Sequence, residues 1–140
     1  IGRQALALPI SKAAFLDYVA DARTFGFLHE VEALRAAGFA QGGSLENAVV
    51  LSEGHVLNEE GLRHTDEFVR HKILDCMGDL YLAGAPIIGA VSGSCSGHAL
   101  NNDLLRTLFE DESAWVWETA EEDEPLNSNA WDGKSVLMHA

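Results

Sequence analysis

The segment from Asp66 to Gly84 carries the strongest constraint on the fold, because its apolar residues recur at helical spacing. Val69, Ile73, Cys76, Met77 and Leu80 fall on one stripe at about 100° of rotation per residue. The stripe predicts one long helix. It begins where Asp66 and Glu67 suit the positive end of the helix dipole and stops at Gly84-Ala85-Pro86. Opposite the stripe His71, Asp75 and Asp79 recur every four residues, so the core does not claim them.

The rest of the chain is read from its punctuation. "ALALPI" is a short apolar strand, and "SKAAFLDYVADA" a helix with Ser11 as N-cap. After the loop "RTFGF", "LHEVEALRAAG" sets Leu28, Val31 and Leu34 at helical spacing and ends at Gly38, a C-cap signal. "QGGSLENAVVL", "SEG" and "HVLN" alternate β-type runs with tight turns, as in a hairpin or a small βαβ excursion. Beyond the long helix, "PIIGAVSGS" reads as a buried strand, "SGHALNNDLLRTLF" as a turn into a second amphipathic helix, and "AWVWET" as a last strand. This order predicts an α+β domain, a two-layer sandwich of one mainly antiparallel sheet with two principal helices packed on it.

Composition narrows the function classes. With 140 residues and 47% apolar side chains, one ordinary core is within reach. A net charge of −13 with nine Lys and Arg argues against a nucleic-acid or anionic-membrane surface. The acid is concentrated from Glu110 to Glu124, which reads as a solvated C-terminal tail over residues 118–140 behind a domain of residues 1–117. No apolar run is long enough to cross a bilayer, and nothing near Ile1 looks like a signal peptide; the start, lacking Met, reads as processed or cut from a longer chain. Cys76 and Cys95 show no CxxC spacing, so a reducing cytoplasm is the expected compartment.

His71 and Asp75, at i and i+4 of a helix, can reach one divalent cation, and imidazole with carboxylate suits Zn²⁺ or Fe²⁺ rather than Ca²⁺. On spacing alone a solvent-facing His–Asp pair is the plainer reading, and two ligands are not a site. His98, in "SGHALNN", follows a tight turn at a helix start, where imidazoles serve as acids or bases or simply as satisfied helix residues. Thr24 in "RTFGF" would alone be part of an ordinary apolar loop.

Taken together, "ARTFGFLHEVEALRAAGFAQGGSLENAVVL", "VLNEEGLRHTDEFVRHKILDCMGDLYLAGAPIIG" and "SGHALNNDLLRTLF" resemble the second half of the UDP-3-O-acyl-N-acetylglucosamine deacetylases, zinc amidases of lipid A synthesis in Gram-negative bacteria. The resemblance runs from Ile10 to Trp117. It implies a two-domain enzyme with its site between the domains, His71 and Asp75 as two zinc ligands, and a third histidine ligand and a glutamate base in an N-terminal domain with no counterpart here. It further implies that Thr24 stabilises the oxyanion, that His98 acts as an acid, and that Asp79 orients His98. Lys72 matches a position that contacts substrate, and Phe25 and Phe27 match aromatics near the sugar.

The stretch from about residue 27 to residue 51 resembles the family's βαβ insert, whose inner face passes the acyl chain. Leu28 and Val31 would line it from the helix, and Ala40, Gly43, Ser44, Leu45 and Val50 from the segment that follows, although local core packing fits these residues equally well. One departure is Cys95: where relatives carry a basic residue three positions before the histidine, this chain reads "SCSGH", and a neutral thiol cannot meet a diphosphate. The isolated chain is expected to be inactive, to bind Zn²⁺ weakly, and to self-associate through a face exposing Phe25, Phe27 and Phe68. The alternative is a non-catalytic α+β binding module that kept the scaffold.

Overall fold

The computed structural model describes residues 1–119 and the strand at Val136–His139. In chain order the elements are β1 (Ala5–Leu8), α1 (Lys12–Ala14, running on through a wider π-type turn at Phe15–Val19), β2 (Thr24–Phe27) and α2 (Leu28–Ala36). Then follow β3 (Ala48–Ser52), β4 (His55–Val56), α3 (Glu67–Leu80), β5 (Ser92–Ser94), α4 (His98–Glu110) and β6 (Val136–His139).

The α+β architecture holds, with the strands divided between two three-stranded sheets. In one, β6 runs between β1 and β5, antiparallel to the first and parallel to the second. β6 lies within the stretch read as an acidic tail. In the other, β2, α2 and β3 form a parallel βαβ unit, and β3 turns back antiparallel into β4.

Helix α3 is buried on two sides, which explains why both sheets organise around it. Its predicted stripe holds: Val69, Ile73 and Cys76 are buried with Leu8, Ala14 and Val19, and Met77 and Leu80 pack against them. A second core joins Phe68 to Val49 and Leu51 of the βαβ unit, with Phe25 edge-on to Phe68 at a centroid distance of 4.9 Å. Burying side chains of this size stabilises by roughly 1.5–3 kcal/mol each.

The helix ends follow the expected chemistry. Gln4 reaches over from the β1 side to accept the Val69 N–H at 3.1 Å, satisfying a first-turn donor of α3. At the far end a tighter turn, Tyr81–Ala83, closes on Gly84 at φ 80°, a conformation that glycine adopts without strain. Ser11 Oγ accepts the Ala14 N–H at 3.1 Å, as its place before α1 predicted.

Two expected strands fail to form as read. In "PIIGAVSGS" only Ser92–Ser94 is extended, and Ile88 is 84% exposed. "AWVWET" is not a strand; its aromatics pack edge to face instead, Phe109 on Trp115 at 5.5 Å and Trp115 on Trp117 at 5.6 Å. Both runs are apolar enough to be strands, but the sheet beside them is completed by β6.

Candidate metal and acid–base site

The polar face of α3 carries two groups of side chains, one turn apart. In the first, His71 Nε2 faces Asp75 Oδ1 at 3.1 Å, and Lys72 Nζ donates to Asp75 Oδ2 at 3.1 Å. The His71 and Asp75 side chains are only 14% and 13% exposed, so the helix places both at the rim of the core rather than in open solvent. Phe25 of β2 stands edge-on to His71 at 6.1 Å and lies under Lys72 Nζ at 5.4 Å. Thr24, exposed, precedes Phe25 at the start of β2.

The tautomer of His71 follows from its partner. Nδ1 lies 3.1 Å from the carbonyl oxygen of Ala22. A carbonyl can only accept, so Nδ1 carries a proton, and Nε2 is the nitrogen turned to Asp75. Two lone pairs facing each other at 3.1 Å require a proton or a cation between them. Burial works against ionisation of Asp75, but the hydrogen bonds and charges of His71 and Lys72 outweigh it and hold the carboxyl below its ordinary range. An ionised carboxylate beside an imidazole oriented by a carbonyl is a donor pair fit for Zn²⁺ or Fe²⁺. Among the described residues no third His, Cys, Asp or Glu joins it.

In the second group, Asp79 receives His98 Nδ1 at 2.8 Å through Oδ2, and Asn101 Nδ2 donates to the same oxygen at 2.8 Å. Asp79 is 14% exposed and Asn101 is buried, whereas the His98 ring is 69% exposed. With Nδ1 committed to Asp79, Nε2 is the nitrogen His98 turns outward. Gly97, extended at the N-cap position, and Cys95, exposed at φ 50°, make the turn that delivers His98 to the first position of α4. Cys76, the other thiol, is buried and pushed up to about 11 by burial and by the charges of Asp79 and Asp75.

The residues proposed for an acyl passage divide. Leu28 lines a cleft of about 340 Å³ with His29, Glu32, Leu51 and Gly54, joined by Phe27, one of the two aromatics matched to the sugar. Val31 lies close over β2, 3.4 Å from where a side chain on Gly26 would begin. Val50 is buried, with its N–H on Asn58 Oδ1. Ala40, Gly43, Ser44 and Leu45 form an exposed turn region, closed by Gly43 N–H on Ala40 O and Ser44 N–H on Asn47 Oδ1. The face expected to expose Phe25, Phe27 and Phe68 is corrected: Phe27 is exposed, but Phe25 is half-buried against the second core and Phe68 is 3% exposed, because the βαβ unit covers it.

Sequence spacing gave no sign of the ion pair beneath the site. Glu67 is fully buried and takes Arg23 Nε at 2.9 Å and Arg23 Nη2 at 3.1 Å, with the Arg63 N–H at 2.7 Å. Arg23 also reaches Glu60 and the carbonyl of Gly61. Burial raises the Glu67 carboxyl, but these donors prevail and hold it at about 2. The one trace in the sequence was Phe68, a large apolar residue on the supposedly solvated side of α3, which marks a second buried face.

Comparison with known proteins identifies relatives of this chain. The family model described as UDP-3-O-acyl N-acetylglycosamine deacetylase matches residues 1–110. A protein of Phenylobacterium zucineum named UDP-3-O-acyl-N-acetylglucosamine deacetylase is 58% identical over 123 residues, 88% of this chain and 42% of that protein. Relatives of the same name from Chromobacterium violaceum (53% identical; 89% of this chain, 40% of the relative) and Acidithiobacillus ferrooxidans (56%; 81% and 38%) agree. The chain thus spans about two fifths of the length of these curated relatives. On the extent of the family match and the level of identity, the chain belongs to the UDP-3-O-acyl N-acetylglycosamine deacetylase family.

Proposed function

We propose that this chain is the C-terminal half of a zinc-dependent cytoplasmic deacetylase that removes the N-acetyl group of UDP-3-O-acyl-N-acetylglucosamine in lipid A biosynthesis. The observation that carries this reading is the inward donor pair: His71 Nε2 faces an ionised Asp75 at 3.1 Å, its other nitrogen tied to the Ala22 carbonyl. When bound, Zn²⁺ or Fe²⁺ lowers the pKa of a water and polarises the acyl carbonyl. His71 and Asp75 would hold that ion, while the third histidine and the glutamate base would come from the N-terminal domain that this reading requires.

The remaining roles fall to side chains of this chain. Thr24 donates its hydroxyl to the carbonyl oxygen as charge builds on it. His98, held at Nδ1 by Asp79, gives a proton from Nε2 to the departing amine, and Asn101 keeps the Asp79 carboxylate in place. Lys72 contacts the substrate, Phe25 and Phe27 meet its sugar, and Leu28 opens the cleft to the acyl chain.

Joined behind the N-terminal part of the Phenylobacterium zucineum relative, the chain is expected to release acetate from UDP-3-O-acyl-N-acetylglucosamine; alone it is expected not to. His71→Ala in the joined protein should abolish turnover. A folded, metal-loaded fusion without activity, or turnover by the isolated chain at a comparable rate, overturns the reading.

A further inference from the structure

The peptide bond between Ala22 and Arg23 is held at both ends by one turn of α3. Its N–H donates to Glu67 Oε1 at 3.0 Å, and its carbonyl accepts from His71 Nδ1 at 3.1 Å. Glu67 and His71 are four residues apart on the helix, and Ala22, Arg23 and Glu67 are all buried. A carboxylate, an amide and an imidazole therefore form one hydrogen-bonded chain.

We infer that Glu67 is a positioning residue for His71, acting through the Ala22–Arg23 peptide. A carboxylate drawing on the N–H of an amide increases the negative charge on its carbonyl oxygen, and hydrogen-bonded chains strengthen one another in a dry interior. The more strongly that oxygen binds Nδ1–H, the more firmly His71 keeps its Nε2 lone pair for a ligand. Histidine ligands of metals are commonly backed by a carboxylate directly; here a peptide stands between the two. The Arg23 guanidinium does not remove this effect. It engages Oε1 and Oε2 from the side-chain direction and anchors the carboxylate, while Oε1 still takes the backbone N–H.

This role in metal binding rests on the reading of His71 as a ligand, whereas the hydrogen-bonded chain is measurable without metal. The test uses ¹⁵N spectra of the imidazoles in the metal-free 140-residue chain, at a pH where the His71 ring is neutral, together with Co²⁺ titration of the chain joined behind the N-terminal part of the Phenylobacterium zucineum relative. Asp75 competes for a proton at Nε2, so the Nδ1–H share of His71 in the parent chain is the reference against which the variants are read. Glu67→Gln should lower that share and weaken Co²⁺ binding about 10-fold, the lower end of the scale for losing a partner behind a ligand. Because Glu67→Gln leaves a buried guanidinium without its carboxylate, Arg23→Gln/Glu67→Gln is made alongside and should shift the tautomer in the same direction. Glu60→Gln, which touches the same guanidinium but not the peptide, should leave it unchanged. The inference is overturned if His71 keeps its tautomer in the folded variants, or if Glu60→Gln shifts it equally. A joined two-domain protein with no Co²⁺ affinity, beside a chain with the expected tautomer shift, supports the relay and counts against His71 as a ligand.

Discussion

Asp75 and Asp79 sit one helical turn apart, with side chains equally shielded at 13% and 14% exposure, yet their partners differ in kind. Asp75 faces Nε2 of His71 and Asp79 the Nδ1 of His98, and on the proposed function the first shares a cation while the second holds a ring. In the joined two-domain protein, Asp75→Ala should therefore remove metal and activity together. Asp79→Ala should retain metal while kcat falls by roughly 10- to 100-fold, as for other groups that orient a site residue. Metal content by atomic absorption beside steady-state rates decides it; metal lost from Asp79→Ala, or retained in Asp75→Ala, reverses the assignment. These residues were legible in the sequence because the helical repeat carries the information: four-residue spacing puts His71, Asp75 and Asp79 on one face whatever surrounds them. Asn101 and the Arg23–Glu67 pair were not legible. Glu67 meets Arg23 across 44 residues of chain, and no local pattern distinguishes a buried charge with such a partner from a solvated one.

At the level of elements, α3 and α4 were readable from periodicity and from the glycines that bound them, and β5 fell within a run read as a strand, whereas β2, read as a loop, and β6, read as a tail, were not. Four residues hold few alternations, and β2 and β6 take their places from pairing, β2 with β3 and β6 with β1 and β5. The β3–β4 turn lies between these cases. Its tight "SEG" punctuation was visible, but the cost it carries is visible only in the backbone. Glu53 is held at φ 50° and Gly54 at φ 81°, the double positive conformation of a two-residue hairpin turn. Gly54 adopts it freely, whereas Glu53 carries a side chain in left-handed conformation. Asn tolerates that region and is favoured at this turn position. Glu53→Asn should therefore stabilise the chain by about 0.5–1 kcal/mol, read as a raised midpoint in urea with an unchanged slope. A lowered midpoint would show that the Glu53 side chain makes a contribution larger than the backbone strain it carries.

At the level of the whole molecule, two acid transitions should separate, because net charge and the buried ion pair respond to different pH ranges. The chain carries −13 at neutral pH with an isoelectric point near 4.6, and it exposes Leu34, Phe39, Leu45, Tyr81 and Ile88. Repulsion between copies is lost as pH falls toward the isoelectric point, leaving those apolar surfaces free to meet. Self-association is therefore expected to increase between about pH 6 and 5 with the fold intact. Unfolding should come later. Glu67 has an ordinary carboxyl value of 4.5 that the folded chain lowers to about 2. Because the folded value is the lower one, the pair contributes its full stability above pH 4.5 and loses it progressively as pH falls from 4.5 toward 2. The shift corresponds to stabilisation on the order of 3 kcal/mol, enough to matter in a domain of marginal stability. Light scattering and circular dichroism followed across the same titration distinguish the two events. In the doubly neutral Arg23→Gln/Glu67→Gln variant, association should keep its pH range while the acid unfolding below pH 4.5 becomes shallower. An unfolding profile identical to that of the parent chain would mean that the acid sensitivity resides in other carboxylates, and that the pair under α3 orients the site without governing the stability of the fold.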